Sequence, residues 1–438
     1  MIVMKFGGSS VKDAEMFTKV SEIVKARIDK KPIIILSAVK GVTDNLILSL
    51  NESLEGKFDA YNEIAKKHKE ILKNLNLDET AVDEELNELK EALEVNSKVK
   101  EDSTKMLDYI SFFGERMSSK ILAALLTSTG IKSEAFVSGD MGLITDSNFG
   151  DAAILVSSFE KMKEKISEVD SVPVITGFGG KDEKGEFTTF NRGGSDYVAS
   201  LFGAAVDAKE IQIWTDVNGI MSCDPRIVEN TRTIPELSFD EASELAYFGA
   251  KVLHPKTILP AVKKNIPVLV LNTFEPDHVG SRIVNESSTT NNGVKAISYK
   301  KGITILDVKS TRMFNAHGYL AKIFEIFKKY KRPVDMISTS EINVSISVDS
   351  NQDVDRIAEE LDEISRVVVY ENKAIVYVVG PSIKNRVGIV GKIFTLLAEK
   401  DIHIDMISQC SEKVSIGFVL DEEKAEETVK LLHNNLVH

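Results

Sequence analysis

The sequence predicts an α/β protein built on an open, mainly parallel sheet, followed by a smaller α+β tail. Three observations carry that prediction. Short apolar strands alternate with helical stretches through the first half of the chain. Glycine-rich turns stand where strand gives way to helix, at Lys5-Phe6-Gly7-Gly8-Ser9-Ser10 and at Arg192-Gly193-Gly194-Ser195-Asp196. The tail contains an internal repeat. Lys322-Ile323-Phe324, Asp335-Met336-Ile337-Ser338 and Val344-Ser345-Ile346 recur as Lys392-Ile393-Phe394, Asp405-Met406-Ile407-Ser408 and Val414-Ser415-Ile416, at a constant offset of 392 − 322 = 70.

In chain order, Ile2 to Phe6 and Pro32 to Leu36 read as buried strands, separated by a helix over Ala14 to Arg27. Lys57 to Phe113 holds neither Gly nor Pro and repeats apolar residues at helical spacing, so amphipathic helices are expected there. Glu115 is expected at the start of an apolar helix, where a carboxylate suits the positive helix end. Val172 to Gly177 and Glu210 to Thr215 are further strands, and a helix follows over Tyr197 to Val206. In such a sheet, ligands lie beyond the carboxyl ends of the strands, where Lys5, Ser37, Gly177 and Thr215 fall. Residues 285–293 contain no apolar side chain and read as a linker. Each tail unit reads as helix, strand, turn and strand, a duplicated module suited to sensing.

Composition narrows the function. The 438 residues suffice for two or three domains, and 43% hydrophobic and 28% charged residues are ordinary for a globular protein. A net charge of −13 without a basic block argues against nucleic-acid or anionic-membrane partners. No stretch is apolar enough to span a membrane, and two distant cysteines, Cys223 and Cys410, favour a reducing cytoplasmic setting over a disulfide or zinc framework.

Several residue groups could carry chemistry. Lys5 precedes two glycines, so its ammonium could meet a phosphate that the backbone of Gly7 and Gly8 approaches; a solvated lysine beside an ordinary turn is the alternative. The loop Ser37-Ala38-Val39-Lys40-Gly41-Val42-Thr43 closes the second strand with hydroxyls and amides that could orient an anion. Arg192 offers a guanidinium suited to a carboxylate, while Ser195 or Asp196 could simply cap the following helix. Thr215-Asp216-Val217-Asn218-Gly219, Asp224-Pro225-Arg226 and Lys251-Val252-Leu253-His254-Pro255 add turns and cations; His254 reads as structural. No Walker A, G-x-G-x-x-G or protein-kinase motif accompanies them.

In order and spacing these segments resemble the aspartate kinases of the amino acid kinase family, nearly end to end. The resemblance implies that family's fold, with helices on both faces of the sheet, over residues 1–292. It implies a regulatory region of two ferredoxin-like ACT modules over 293–438, the first at about 303–373 inserted in the second, at about 293–302 plus 374–438. It further implies ATP-dependent phosphorylation of the β-carboxylate of L-aspartate with Mg²⁺, in an enzyme with no appended homoserine dehydrogenase. Lys5 and Asp196 would serve the transfer. Ser37, Thr43, Glu115, Arg192, Gly193, Gly194 and Ser195 would hold aspartate, Glu115 facing its amine. Lys5, Gly7, Gly8, Ser9, Thr215, Asp216, Met221, Arg226, Lys251 and Val252 would hold the nucleotide, Met221 standing where a tyrosine is often found.

The tail resembles lysine-inhibited members. Met313, Ala316, Gly318, Tyr319, Leu320, Val334, Asp335, Ser340 and Glu341 would form the effector site, with Ala316 where such relatives often carry serine. Asp335 and Glu341 would pair with the ammonium groups of L-lysine; the alternative is that both are solvated strand-end charges. A homodimer or homotetramer through the ACT modules is expected. Acetylglutamate, glutamate and nucleoside monophosphate kinases share the fold and are the enzymatic rivals; a catalytically idle sensor is the rival from another class. A free amine opposite Glu115 separates aspartate from acetylglutamate.

Overall fold

The computed structural model describes all residues except 100–102, 192, 249–253, 288–292, 310–316, 351–352, 382, 384–386, 410–413 and 438. The chain divides into two compact units: Met1–Ile220, Pro235–Phe239 and Val252–Ser287 form one, and Met221–Ile234, Asp240–Lys251 and Ser288–His438 the other.

The first unit is built on an eight-stranded sheet. Its strands are β1 (Ile2–Phe6), β2 (Pro32–Leu36), β3 (Ser133–Phe136), β5 (Val172–Thr176), β8 (Ile211–Thr215), β9 (Glu236–Ser238), β10 (Val268–Asn272) and β11 (Ser281–Val284). They lie in the order β3-β5-β2-β1-β8-β10-β11-β9, and only the β10–β11 pairing is antiparallel. A small sheet of β4 (Ile144–Thr145), β6 (Gly179–Asp182) and β7 (Phe187–Thr189) accompanies it. The central strands are apolar on both faces, the signature of a sheet covered twice. Ile2, Met4 and Phe6 join one core with residues of α1 (Ala14–Lys25), α2 (Val42–Ser53), α3 (Asp59–Asn74), α4 (Asp83–Val99) and α5 (Ser103–Ser128). On the other side, where α6 (Ser158–Ser167) packs against α7 (Gly194–Ala205), Gly203 lets α7 close on the sheet. A Cβ there would lie 2.6 Å from the Ile211 side chain and 3.8 Å from that of Val3. Successive β1 residues thus face opposite helical layers.

Two local expectations are corrected. Glu115 does not begin a helix: α5 starts at Ser103, so Glu115 sits mid-helix and gains nothing from an N-terminal dipole. Neither Ser195 nor Asp196 caps α7; Gly193, at φ +80°, occupies the N-cap with no side-chain cap.

The second unit carries a six-stranded antiparallel sheet. Its two central strands, β12 (Ala296–Lys309) and β15 (Arg366–Val379), run side by side for most of their 14 residues, with irregular register between Lys300 and Ile305. The repeat is visible as β13 (Met336–Thr339) and β14 (Asn343–Asp349) at one edge, and β16 (Met406–Ser408) and β17 (Ser415–Asp421) at the other. Helices Tyr319–Lys329 and Ile389–Ala398 are likewise counterparts. Each half has its own apolar core, one around Leu306, Ile323 and Ile357, the other around Val376, Ile393 and Leu432. The segments 221–234 and 240–251 join the second half through Ser222–His433 (2.9 Å), Lys295–Glu241 (2.8 Å) and Ser415–Glu244 (2.7 Å).

Candidate active site

The carboxyl ends of β1, β2 and β5 converge with the start of α7 and the middle of α5. They enclose an open cleft of about 310 Å³ lined by Lys5, Gly8, Ser37, Thr43, Glu115 and Gly193 to Asp196, among others. Nine of the expected site residues therefore meet in one place: Lys5, Gly8, Ser37, Thr43, Glu115, Gly193, Gly194, Ser195 and Asp196.

Glycine makes the close approaches possible. A Cβ on Gly8 would stand 2.9 Å from the Ala38 carbonyl, and one on Gly194 would stand 2.6 Å from the Phe178 carbonyl. A Cβ on Gly114 would lie 2.6 Å from the Ala38 methyl, so its absence lets α5 press against the loop after β2. That contact delivers the next residue, Glu115, into the cleft. Gly7 donates its N–H to the Trp214 carbonyl at 3.1 Å, tying the first turn to β8. Ser10 bonds the Thr273 hydroxyl at 2.7 Å and is structural.

The electrostatics are uneven. Lys5 Nζ and Asp196 form a 2.6 Å ion pair, each side chain only 12% exposed. Glu115 is buried. One carboxyl oxygen accepts the Ala38 N–H at 3.1 Å, and the other, equally buried, has no hydrogen-bond partner. Burial pushes the Glu115 carboxyl up to about 7, against the opposing pull of the Ala38 amide and the Lys5 ammonium. A buried oxygen without a donor costs free energy unless a ligand supplies one.

The remaining expectations fall elsewhere. Thr215 ends β8, its hydroxyl donating to Asp216 at 3.2 Å. Met221 and Arg226 belong to the second unit, where Arg226 is held by Asp224 at 2.7 Å. Arg192, Lys251 and Val252 lie outside the described residues, as do Met313 and Ala316 of the expected effector set. Of that set, Gly318 is the N-cap of helix Tyr319–Lys329 at φ +77°, Tyr319 meets the Ser365 hydroxyl, and Leu320, Ser340 and Glu341 are exposed. Val334 is half-buried. Asp335 is no solvated charge: its side chain is 2% exposed and bound by Lys300 at 3.1 Å. His254 accepts the Lys256 N–H as an N-cap, a structural role. Sequence reasoning gave the amides of the 37–43 loop an anion to orient without naming Glu115, which the Ala38 amide meets, and it assigned no role to Phe178, which lines the cleft with φ +72°. The Gly177-Phe178-Gly179-Gly180 run was the available signal for the latter.

Comparison with known proteins decides the family. The model of the amino acid kinase family matches residues 1–272, and an ACT domain model matches 376–436. Aspartokinase 1, chloroplastic, of Arabidopsis thaliana is 36% identical over 99% of this chain and 79% of its own length. The chain belongs to the aspartokinases of the amino acid kinase family. The lysine-sensitive aspartokinase 3 of Escherichia coli is 32% identical over 100% of this chain and 99% of its own. The crystal structure of E. coli aspartokinase III with aspartate and ADP superposes with a TM-score of 0.83 at 30% identity, covering 99% of both chains. Among the described residues of this aspartokinase, no helix is long and apolar enough to cross a membrane.

Proposed function

We propose that this aspartokinase phosphorylates the β-carboxylate of L-aspartate with ATP in a direct in-line transfer. A carboxylate oxygen attacks the γ-phosphorus, the bond to the β–γ bridging oxygen breaks, and ADP and 4-phospho-L-aspartate form. The nucleophile is already ionised at neutral pH, so no general base is needed. The barrier is the approach of two anions, offset by aligned charge. Lys5, paired with Asp196 beside the glycine turn, takes the charge of the migrating phosphoryl group, and Asp196 orients Lys5. Ser37, Thr43, Ser195 and the amides of Gly193 and Gly194 hold aspartate in the cleft. The observation that carries the reading is the buried, half-satisfied Glu115, whose bare oxygen asks for an ammonium donor such as the substrate's amine.

The remaining assignments rest on the resemblance: Arg192 for the α-carboxylate, and Gly7, Ser9, Thr215, Asp216, Met221, Arg226, Lys251 and Val252 for the nucleotide. The missing Cβ of Gly7, which would stand 3.5 Å from Lys5 Nζ, and that of Gly8 leave room for phosphate oxygens. Mg²⁺, a hard cation that keeps several waters, would arrive on those oxygens and neutralise their charge. L-lysine would act as feedback inhibitor through the ACT halves, in a homodimer or homotetramer working in the cytosol.

The test is ATP- and Mg²⁺-dependent acyl phosphate formation, trapped with hydroxylamine. Product is expected with L-aspartate and not with acetylglutamate, and is expected to fall with L-lysine. Inhibition by threonine alone would remove the effector assignment; no product from aspartate would remove the substrate.

A further inference from the structure

Lys40 is the cation the cleft does not otherwise explain. The established pairing leaves little positive charge: Lys5 is matched by Asp196 at 2.6 Å, and Glu115 adds a carboxyl. Yet the reaction must gather a polyphosphate and a dicarboxylate. Among the described lining residues Lys40 is the only other lysine or arginine; it is exposed and carries no ion pair.

Its backbone is held over the first glycine turn. The Cβ that Gly8 lacks would stand 3.5 Å from both the amide nitrogen and the Cα of Lys40, so turn and loop touch where a phosphate would pass. The loop is pinned there: Lys67 of α3 donates to the Lys40 carbonyl at 2.5 Å, and Gly41 follows at φ +81° as the N-cap of α2. A fixed backbone beneath a free ammonium suits a cation that meets a mobile anion. Asp44, in the first turn of α2, lines the same cleft and opposes it.

We propose that Lys40 is a phosphate-binding residue of this kinase, contacting the terminal phosphates of ATP at the rim of the cleft. The inference rests on the aspartokinase reading but can fail separately from it.

Steady-state kinetics on the full chain test it. Lys40→Met should raise the KM for MgATP roughly three- to tenfold at low ionic strength while the KM for aspartate stays within about twofold. The effect should shrink as salt screens it. Lys40→Arg should restore the wild-type value, and Asp44→Asn should lower the KM for MgATP, a sign that mere loosening of the loop does not produce. An unchanged KM for MgATP, or a change confined to aspartate, overturns the proposal. Calorimetric titration with MgATP and no acceptor reads the same Lys40 effect even if aspartate proves not to be the substrate.

Discussion

Glu115 in the cleft and Asp335 in the regulatory sheet are both buried acids assigned to an amino-acid ligand, yet they are left in opposite states. Glu115 has one oxygen on the Ala38 amide and the other bare. Asp335 is met by Lys300, which also reaches Asp349 at 2.6 Å. The repeat builds the same arrangement again, with Lys373 between Asp405 at 2.9 Å and Asp421 at 2.6 Å. A buried acid without its donor is poised for a ligand; one already paired with an internal ammonium is first a structural tie. A lysine effector at Asp335 would therefore share or displace the charge of Lys300, whereas a substrate amine at Glu115 fills an open position.

The largest effect that could break this contrast is loss of the transfer charge. Lys5→Ala should lower kcat by about 10³-fold or more, comparable to losing a main transition-state donor, while lysine binding measured by calorimetry stays intact. Loss of both would indicate misfolding instead.

Glu115→Gln should raise the KM for aspartate by about 10²-fold, as expected when a charged hydrogen-bonded partner is lost. Its pH signature is specific. The folded carboxyl titrates at about 7, above its ordinary 4.5, so in the ligand-free enzyme its contribution to stability is lost as pH rises from 4.5 through 7. Aspartate binds the ionised form, so the wild-type KM for aspartate should fall as pH rises through 7. The Gln variant should lack that dependence and be the more stable protein at pH 8 without substrate.

His68 tests whether a bare buried atom alone defines a site. It is buried on α3, bonded to the Ile64 carbonyl through Nδ1, and its Nε2 has no partner; unlike Glu115, it does not line the cleft. Burial lowers it from 6.5 to about 4, so the folded protein prefers neutral imidazole. Stability should be unaffected above pH 6.5 and fall by about 3 kcal/mol as pH drops from 6.5 to 4. Denaturation of wild type against His68→Leu should show the difference narrowing or reversing over that window, with kcat unchanged at neutral pH.

The smallest effect belongs to the satisfied acid. Asp335→Asn should cost about 1–2 kcal/mol in chemical denaturation, since Lys300 keeps Asp349. Lys300→Met, which takes the ammonium from both Asp335 and Asp349, should cost more. Equal costs would mean that the pairing adds little.

Much of this was legible along the chain. Strands Ile2–Phe6 and Pro32–Leu36 stand where apolar runs and turn residues placed them, because a doubly covered parallel strand is written as a continuous apolar run. The tail repeat was legible because two copies of one module keep their spacing. The position of Glu115 within its helix was not. Glu115 lies deep inside a 26-residue helix, far from any cap, and the glycine beside it reads as a break until Ala38 is seen against it.

The sequence by itself determined the layers of the sheet, the order of the motifs and the duplication, since period and turn chemistry are local properties. Only the tertiary structure decided which carboxylates are satisfied. Lys300 meets Asp335 across 35 residues, and Ala38 meets Glu115 across 77. Burial and pairing belong to the packed chain: the same residue type becomes a waiting site or a closed tie according to what folding brings beside it.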